Sequence, residues 1–134
     1  MPGGANAVKT GDILAKKVVK LANELGLETR EQYKLGRRLW GAGRRIDVVV
    51  KQSPSGKALG IECKAQETGG TAEEKIPSTI QDMAAWPIPG LVVFEGEGFT
   101  ENMKSFLVST GKAVDFADLE PWLRLFFGLP LDNK

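Results

Sequence analysis

The stretch Arg44-Arg45-Ile46-Asp47-Val48-Val49-Val50, followed after a short gap by Leu59-Gly60-Ile61-Glu62-Cys63-Lys64-Ala65, decides the fold of this 134-residue chain. Both runs are largely apolar, and the first is rich in β-branched residues, as strands are. Between them lies Ser53-Pro54-Ser55-Gly56, whose composition is typical of a turn. The sequence therefore predicts a β-hairpin with strands over 46–51 and 57–65.

Three charged side chains interrupt the apolar pattern of this hairpin. Successive side chains of a strand alternate between faces, so Glu62 and Lys64 share one face while Ile61 and Cys63 point to the other. If strand pairing brings Asp47 alongside, two carboxylates and an ammonium converge on one spot. Two carboxylates suit a hard cation such as Mg²⁺, which retains waters and seeks phosphate oxygens. Since a neighbouring Lys can stabilise charge on a phosphate, the pattern indicates phosphodiester hydrolysis.

Asp47 on one strand and Glu62-Cys63-Lys64 on the next resemble the signature of the PD-(D/E)XK nuclease superfamily, the restriction-endonuclease-like fold. Ile46 stands where that pattern often has Pro. Gln66 extends the likeness to the E-x-K-x-Q run of many restriction-type members. Residues 69–77 also resemble the segment that follows the Lys strand in such enzymes. The resemblance spans about residues 8–116, although its specific part is confined to the hairpin and the residues just after it.

This resemblance implies a metal-dependent DNA endonuclease with a mixed β-sheet flanked by helices, an α/β fold. It implies that Asp47, Glu62 and the backbone carbonyl of Cys63 hold Mg²⁺, for which Mn²⁺ can substitute. Lys64 is then expected to assist a metal-activated water in attacking the phosphodiester, and Gln66 to position that water or a phosphate. For each of these residues the alternative is an ordinary strand position, solvated or ion-paired.

Enzymes that this chain resembles usually draw one more carboxylate from the first helix. Asp12 and Glu24 are the candidates, and the family pattern does not settle which of them joins the site. Asp12 is preferred, but its alternative role is to cap the helix, and that of Glu24 is to be a solvated helix residue.

Basic residues are concentrated in 30–45, where Glu31 is the only acidic residue. Backbone phosphates are bound by Lys and Arg, and the position of this zone beside Asp47 favours that role over a solvated basic face. The expected DNA contacts are Arg37, Arg38, Arg44, Arg45 and, from a later helix, Lys75. Trp40 lies in the same zone and is the best of the three Trp for stacking on a base, although Trp residues more often belong to a core or an interface.

Composition excludes several classes of protein. The 18 Lys and Arg residues nearly balance 17 Asp and Glu, which argues against a general nucleic-acid coating protein. The absence of His excludes His-based zinc sites, Ser-His and Cys-His nucleophile pairs, and nucleases with a His general base. One Cys allows no internal disulfide. Without a membrane-length apolar run or a signal peptide, the sequence predicts a cytoplasmic protein.

Capping residues and periodicity predict one domain over 1–134 with the element order α-β-β-β-α-β-α-β-α, after a flexible lead-in at 1–8. Alternation of helices and strands after residue 66 predicts parallel strands beside the antiparallel hairpin. The first helix is expected to begin at Thr10 or Asp12 and to end at Gly26, and a later one to be capped by Thr100. The remaining elements are a strand within 31–40, helices over 72–85, 101–109 and 117–127, and strands over 91–94 and 113–116.

Several roles stay open within the nuclease class. The E-x-K-x-Q run favours restriction-type or phage-encoded cleavage of duplex DNA, while a Holliday-junction resolvase would be expected to be more basic, and a homing-type enzyme is a third option. Other classes are a catalytically silent DNA-binding or regulatory module, and a generic α/β interaction domain in which the motif is coincidental. The apolar segment 119–129 predicts self-association, as a homodimer or higher homo-oligomer, because a symmetric dimer can cut both DNA strands.

Overall fold

The computed structural model describes residues 2–37, 43–65, 71–97 and 99–131, with backbone alone at 2–11, 36–37, 43–44, 71–76 and 107–108. Its order of helices and strands is the predicted one, and its class is the predicted α/β. The elements are α1 (Pro2–Glu24), β1 (Glu28–Arg37), β2 (Gly43–Lys51), β3 (Ala58–Ala65), α2 (Thr71–Met83), β4 (Gly90–Glu95), α3 (Glu101–Ser109), β5 (Ala113–Asp115) and, after a 3-10 turn (Phe116–Asp118), α4 (Leu119–Phe127).

The five strands form one mixed sheet in the order β1-β2-β3-β4-β5. β2 is antiparallel to both β1 and β3, whereas β3, β4 and β5 are parallel and are connected through α2 and α3. Both the predicted hairpin and the predicted parallel strands are therefore confirmed. Because β2 runs against β3, the first residues of β2 lie at the same edge of the sheet as the last residues of β3, and this edge carries Asp47, Glu62 and Lys64.

Helices cover the two faces of the sheet separately. On one face α1 and α4 enclose a core that includes Val48, Ile61 and Val93. On the other face Val92 and Phe94 belong to a second, smaller core that also contains Met83 of α2. Because both faces of β4 are buried, its sequence is continuously apolar instead of alternating.

The helix ends agree with the sequence in part. Gly26 has a φ of 84° and ends α1 as predicted, and Thr100 Oγ1 accepts a hydrogen bond from the N–H of Met103 over 3.1 Å, which is the predicted cap. The predicted start of α1 at Thr10 or Asp12 was wrong, since the helix begins at Pro2 and includes the expected lead-in. Pro is favoured at the first helical position because its missing N–H would have no intrahelical partner there.

Most of the apolar C-terminal segment is used inside the molecule. Leu119, Leu123 and Phe127 of α4 are buried in the core beneath α1, whereas Leu125 is 69% exposed. Over the ranges that the structure describes, no helix combines the length and the apolar character needed to cross a membrane.

Candidate active site

Asp47 lies at an irregular point of the sheet. The ladder between β1 and β2 continues in one register on both sides of Gln32 and Asp47, but it skips these two residues. Gln32 has a φ of 51°, a left-handed conformation that is uncommon for a residue with a side chain. The alternation of side chains also breaks here: Val48 lies in the core beneath α1, whereas Ile46 lines a cavity together with Val49. Left-handed backbone at a residue with a side chain is strained, and such strain clusters at functional sites.

On its other side, β2 separates from β3 at the same point. The β2–β3 ladder ends with the pair Val48 and Ile61. Beyond that pair, carboxylates replace backbone carbonyls as acceptors: the N–H of Asp47 donates to Glu62 Oε1 over 3.1 Å, and the N–H of Cys63 donates to Asp47 Oδ2 over 2.9 Å. β3 remains paired with β4 to its last residue, so its backbone is fixed on one side while a gap opens on the other.

These hydrogen bonds bring the two carboxylates together at one edge of the sheet, where Asp47 and Glu62 are both half-buried. A sheet that left them on opposite faces would have established that the motif is coincidental, and the structure does not have that arrangement.

The electrostatic environment of Glu62 is unusual. Burial raises the pKa of its carboxyl to about 7, and the negative charges of Asp47 and, more weakly, Asp82 act in the same direction. The hydrogen bond from the Asp47 N–H and the nearby Lys64 ammonium oppose this rise in pKa. A carboxyl that titrates near neutrality beside a second carboxylate and an ammonium is characteristic of functional sites.

Cys63 contributes its backbone and not its thiol. The side chain lies in the core beneath α1, and burial raises the pKa of the thiol well above its usual range. The thiol therefore stays protonated and is neither a nucleophile nor a metal ligand at neutral pH. The N–H of Cys63 faces Asp47. Since the N–H and C=O groups of one strand residue point to the same side of the strand, the Cys63 carbonyl also faces the gap between β2 and β3.

The donors at this edge fit a hard divalent cation. Two carboxylates and a carbonyl offer only oxygen atoms, which Mg²⁺ prefers to nitrogen or sulfur. Within the described ranges, no three or more Cys, Asp and Glu residues form a group that could hold a metal. Side chains would thus fill only part of the coordination shell, and Mg²⁺ typically keeps several waters and takes substrate phosphate oxygens.

The carboxylates expected from α1 do not join this group in the described part of the chain. Asp12 and Glu24 are both exposed on α1, whose buried side is formed by Leu14, Val18 and Ala22. Asp12 was expected at the site on the strength of the resemblance; it is exposed to solvent on α1, and that role stays a prediction.

Only some of the predicted DNA contacts lie in the part of the chain that the structure describes. Arg45 is exposed on β2, two residues before Asp47. Arg37 and Arg44 belong to β1 and β2 and Lys75 to α2, with side chains outside the described part of the structure. Gln66, Arg38 and Trp40 lie outside the described residues, so their roles stay predictions.

Two lysines of α1 that the sequence did not single out form ion pairs with strands on either side of the gap between β2 and β3. Lys16 Nζ contacts both carboxylate oxygens of Glu31 on β1, at 3.0 and 3.1 Å. Lys17 Nζ lies 2.6 Å from Glu95 Oε2 at the end of β4 and 4.6 Å from the centroid of the Phe116 ring. Glu31 stood out in the sequence only as the single acid in a basic zone, and nothing local pointed to the partner of either lysine.

A mixed five-stranded sheet flanked by helices, with an Asp, a Glu and a Lys at the edge where β2 and β3 separate, is consistent with a restriction-endonuclease-like fold. The chain belongs to the PD-(D/E)XK nuclease superfamily, whose domain its sequence matches over residues 6–122.

Among solved structures, the fold is similar to the crystal structure of AF1548, a protein of unknown function, with a TM-score of 0.54 and 21% sequence identity. The match covers 78% of this chain and 57% of the other, so this chain spans little more than half the length of that protein. The likeness concerns the fold alone. Among curated proteins, no sequence matches this chain.

Proposed function

We propose that this protein is a divalent-metal-dependent endonuclease that hydrolyses phosphodiester bonds in DNA. One observation carries the proposal: the carboxylates of Asp47 and Glu62 replace the backbone pairing of β2 and β3, beside the Lys64 ammonium. Membership in a nuclease superfamily supports the same class of reaction.

Asp47, Glu62 and the Cys63 carbonyl would hold Mg²⁺ or Mn²⁺. When bound, such a cation supplies Lewis-acid chemistry, since it draws charge from a phosphate oxygen and acidifies water. Glu62 must lose its proton before it can act as a ligand, so a proton and the cation compete for it around neutral pH. The Lys64 ammonium supplies a positive charge where the phosphate develops negative charge in the transition state.

The substrate is proposed to be DNA because basic residues flank the site. Arg45 is exposed just before Asp47, and Arg37, Arg38, Arg44 and Lys75 are proposed to contact further backbone phosphates. A symmetric homodimer is proposed for cutting both strands, because one copy of the site acts on one phosphodiester at a time.

The test is cleavage of supercoiled plasmid in Mg²⁺ by the wild type, Lys64→Ala and Lys112→Ala. Lys112 is exposed in the turn before β5 and provides a control that removes the same charge away from the site. We expect nicking by the wild type and by the control at equal rates, and a loss of about 100-fold or more in Lys64→Ala. Cleavage by Lys64→Ala at the wild-type rate, with all variants folded by circular dichroism, would overturn the site.

A second measurement separates a silent binding module from an enzyme that lacks its substrate. Calorimetric titration with Mg²⁺ is expected to show binding to the wild type that is lost in Asp47→Asn. A folded protein that cuts no DNA and binds no Mg²⁺ would favour the binding module. Where cleavage occurs, comparing linear duplex with four-way junctions distinguishes a restriction-type enzyme from a junction resolvase.

A further inference from the structure

A cavity of about 410 Å³ lies beside the proposed active site. Its lining includes Val49 and Ala58 on the floor and the fully buried Ile46, and the turn at 87–88 before β4 forms one wall. Val49 alternates with the core residue Val48, so the cavity lies on the face of the sheet opposite α1. The floor and this wall are therefore predominantly apolar.

The rim of this cavity is aromatic and charged. Tyr33 of β1 is 43% exposed and is the aromatic residue of this lining. Arg30 of β1 and Lys51 of β2 are exposed cations on the same rim, and Glu28, paired in register with Lys51, places one negative charge at the end away from Asp47.

The irregularity at Asp47 connects the cavity to the site. In a regular strand Ile46 would share a face with Val48, but the break in alternation places Ile46 on the opposite face, where it is fully buried beside the cavity. Ile46, a fully buried residue of the cavity lining, directly precedes Asp47 in the chain, so the cavity and the proposed site meet at neighbouring residues of β2.

We propose that the cavity receives one unpaired nucleotide of the DNA substrate, with its base against Tyr33 and the apolar floor and a phosphate near Arg30 or Lys51. The inference rests on the proposed nuclease function. The volume of the cavity lies within the range of pockets that hold single small ligands, about 300–1,000 Å³, and is too small for a duplex. Paired bases show only their edges in the grooves, whereas an unpaired base offers its face for stacking.

The assay measures binding without cleavage. Fluorescence anisotropy in EDTA compares a fluorescein-labelled single-stranded oligothymidylate with a duplex of the same length. We expect the single strand to bind more tightly, and Tyr33→Leu, which keeps an apolar side chain without the ring, to weaken its binding roughly tenfold. Tyr33→Phe keeps the ring and is expected to bind as the wild type does.

Two charge variants distinguish binding in the cavity from nonspecific electrostatic attraction of DNA to the protein surface. Arg30→Gln removes a cation on its rim, whereas Lys34→Gln removes one from the neighbour of Tyr33, which alternation places on the opposite face. Only Arg30→Gln is expected to weaken binding. A strand containing 2-aminopurine adds a direct reading, because stacking on the ring quenches its fluorescence in the wild type and in Tyr33→Phe but not in Tyr33→Leu.

Unchanged binding by Tyr33→Leu, or equal weakening by the two charge variants, would overturn the assignment of the cavity. The result is independent of catalysis because no divalent metal is present. Plasmid cleavage with no effect at Tyr33 leaves the proposed function standing without this inference. Binding that depends on Tyr33, in a protein that cleaves no DNA, leaves the cavity assignment standing without the proposed nuclease activity.

Discussion

The backbone N–H of Asp47 donates a hydrogen bond to Oε1 of Glu62 over 3.1 Å, so one carboxylate fixes the peptide that carries the other. Glu62 is largely shielded from water and faces the Asp47 charge, and together these raise the pKa of its carboxyl to about 7. Above neutral pH, the folded chain therefore holds a carboxylate pair whose repulsion a divalent cation would relieve.

This arrangement makes stability depend on pH with a defined sign. The carboxyl of Glu62 titrates near 4.5 in the unfolded chain and near 7 in the folded one, so the folded state binds the extra proton between these values. The contribution of the Glu62 carboxyl to the free energy of unfolding is fully present below pH 4.5 and is lost as the pH rises through 7. Glu62→Gln keeps an acceptor for the Asp47 N–H without the charge. At pH 8 we expect this variant to be more stable than the wild type, by roughly 1–3 kcal/mol.

Urea unfolding in EDTA at pH 4.5, 6 and 8 measures this difference. Glu24→Gln, at an exposed position on α1, is the matched control and is expected to follow the wild type at every pH. Mg²⁺ at pH 8 is expected to stabilise the wild type more than Glu62→Gln, since only the wild type has both carboxylates. A gap between wild type and Glu62→Gln that is equal at pH 4.5 and pH 8 would rule out this account.

Gly60 of β3 is required by the ring of Trp86. A Cβ atom at position 60 would lie 2.7 Å from Trp86 Cζ3 and 3.3 Å from Ile46 Cδ1, closer to the ring than packed carbon atoms come. We expect Gly60→Ala to lower the free energy of unfolding by about 1–3 kcal/mol, as overpacking does. In a double-mutant cycle, Trp86→Leu should make Gly60→Ala much less costly. Strictly additive losses would show that the ring is not the obstacle.

Gln32 supports the break in the sheet through its own backbone. Its φ of 51° is unfavourable for any residue with a Cβ atom and most so for a β-branched one. Gln32→Val is expected to cost at least about 1 kcal/mol of stability. Gln32→Gly should be neutral or stabilising, because relief of the steric cost offsets the entropy of Gly. Lys34→Val, on the same strand, is the control; equal losses for the two Val variants would contradict this explanation.

The hairpin, the order of elements and the mixed sheet could all be predicted from the sequence because their signals are local. Ser53-Pro54-Ser55-Gly56 marks the turn, and alternating helices and strands after residue 66 require parallel pairing. The likeness around Asp47 and Glu62 likewise rests on residues fifteen apart in one hairpin.

The rest depends on contacts that no local pattern encodes. No glycine in the sequence marks the left-handed position of Gln32, and the break beside it places Ile46 on the face of the sheet opposite α1, where it is buried. Trp86 meets Gly60 only after α2 has crossed from β3 to β4. The role that the family pattern suggested for Asp12 stays a prediction, because its exposed position on α1 does not test it.

The hairpin turn also holds the C-terminal end of α4, where the last carbonyls of a helix have no intrahelical partner. Lys57 Nζ donates to the Phe126 carbonyl over 2.6 Å and lies 4.6 Å from the centroid of its ring, and Gln52 Nε2 donates to the Phe127 carbonyl over 3.2 Å. Lys57→Met keeps the apolar stem and removes the positive charge, which also interacts favourably with the negative end of the helix dipole. We expect a loss of about 1 kcal/mol in urea unfolding and faster amide exchange confined to α4. Lys112→Met is the control for a lost surface cation, and an equal loss there would mean that the hairpin does not stabilise α4 in this way.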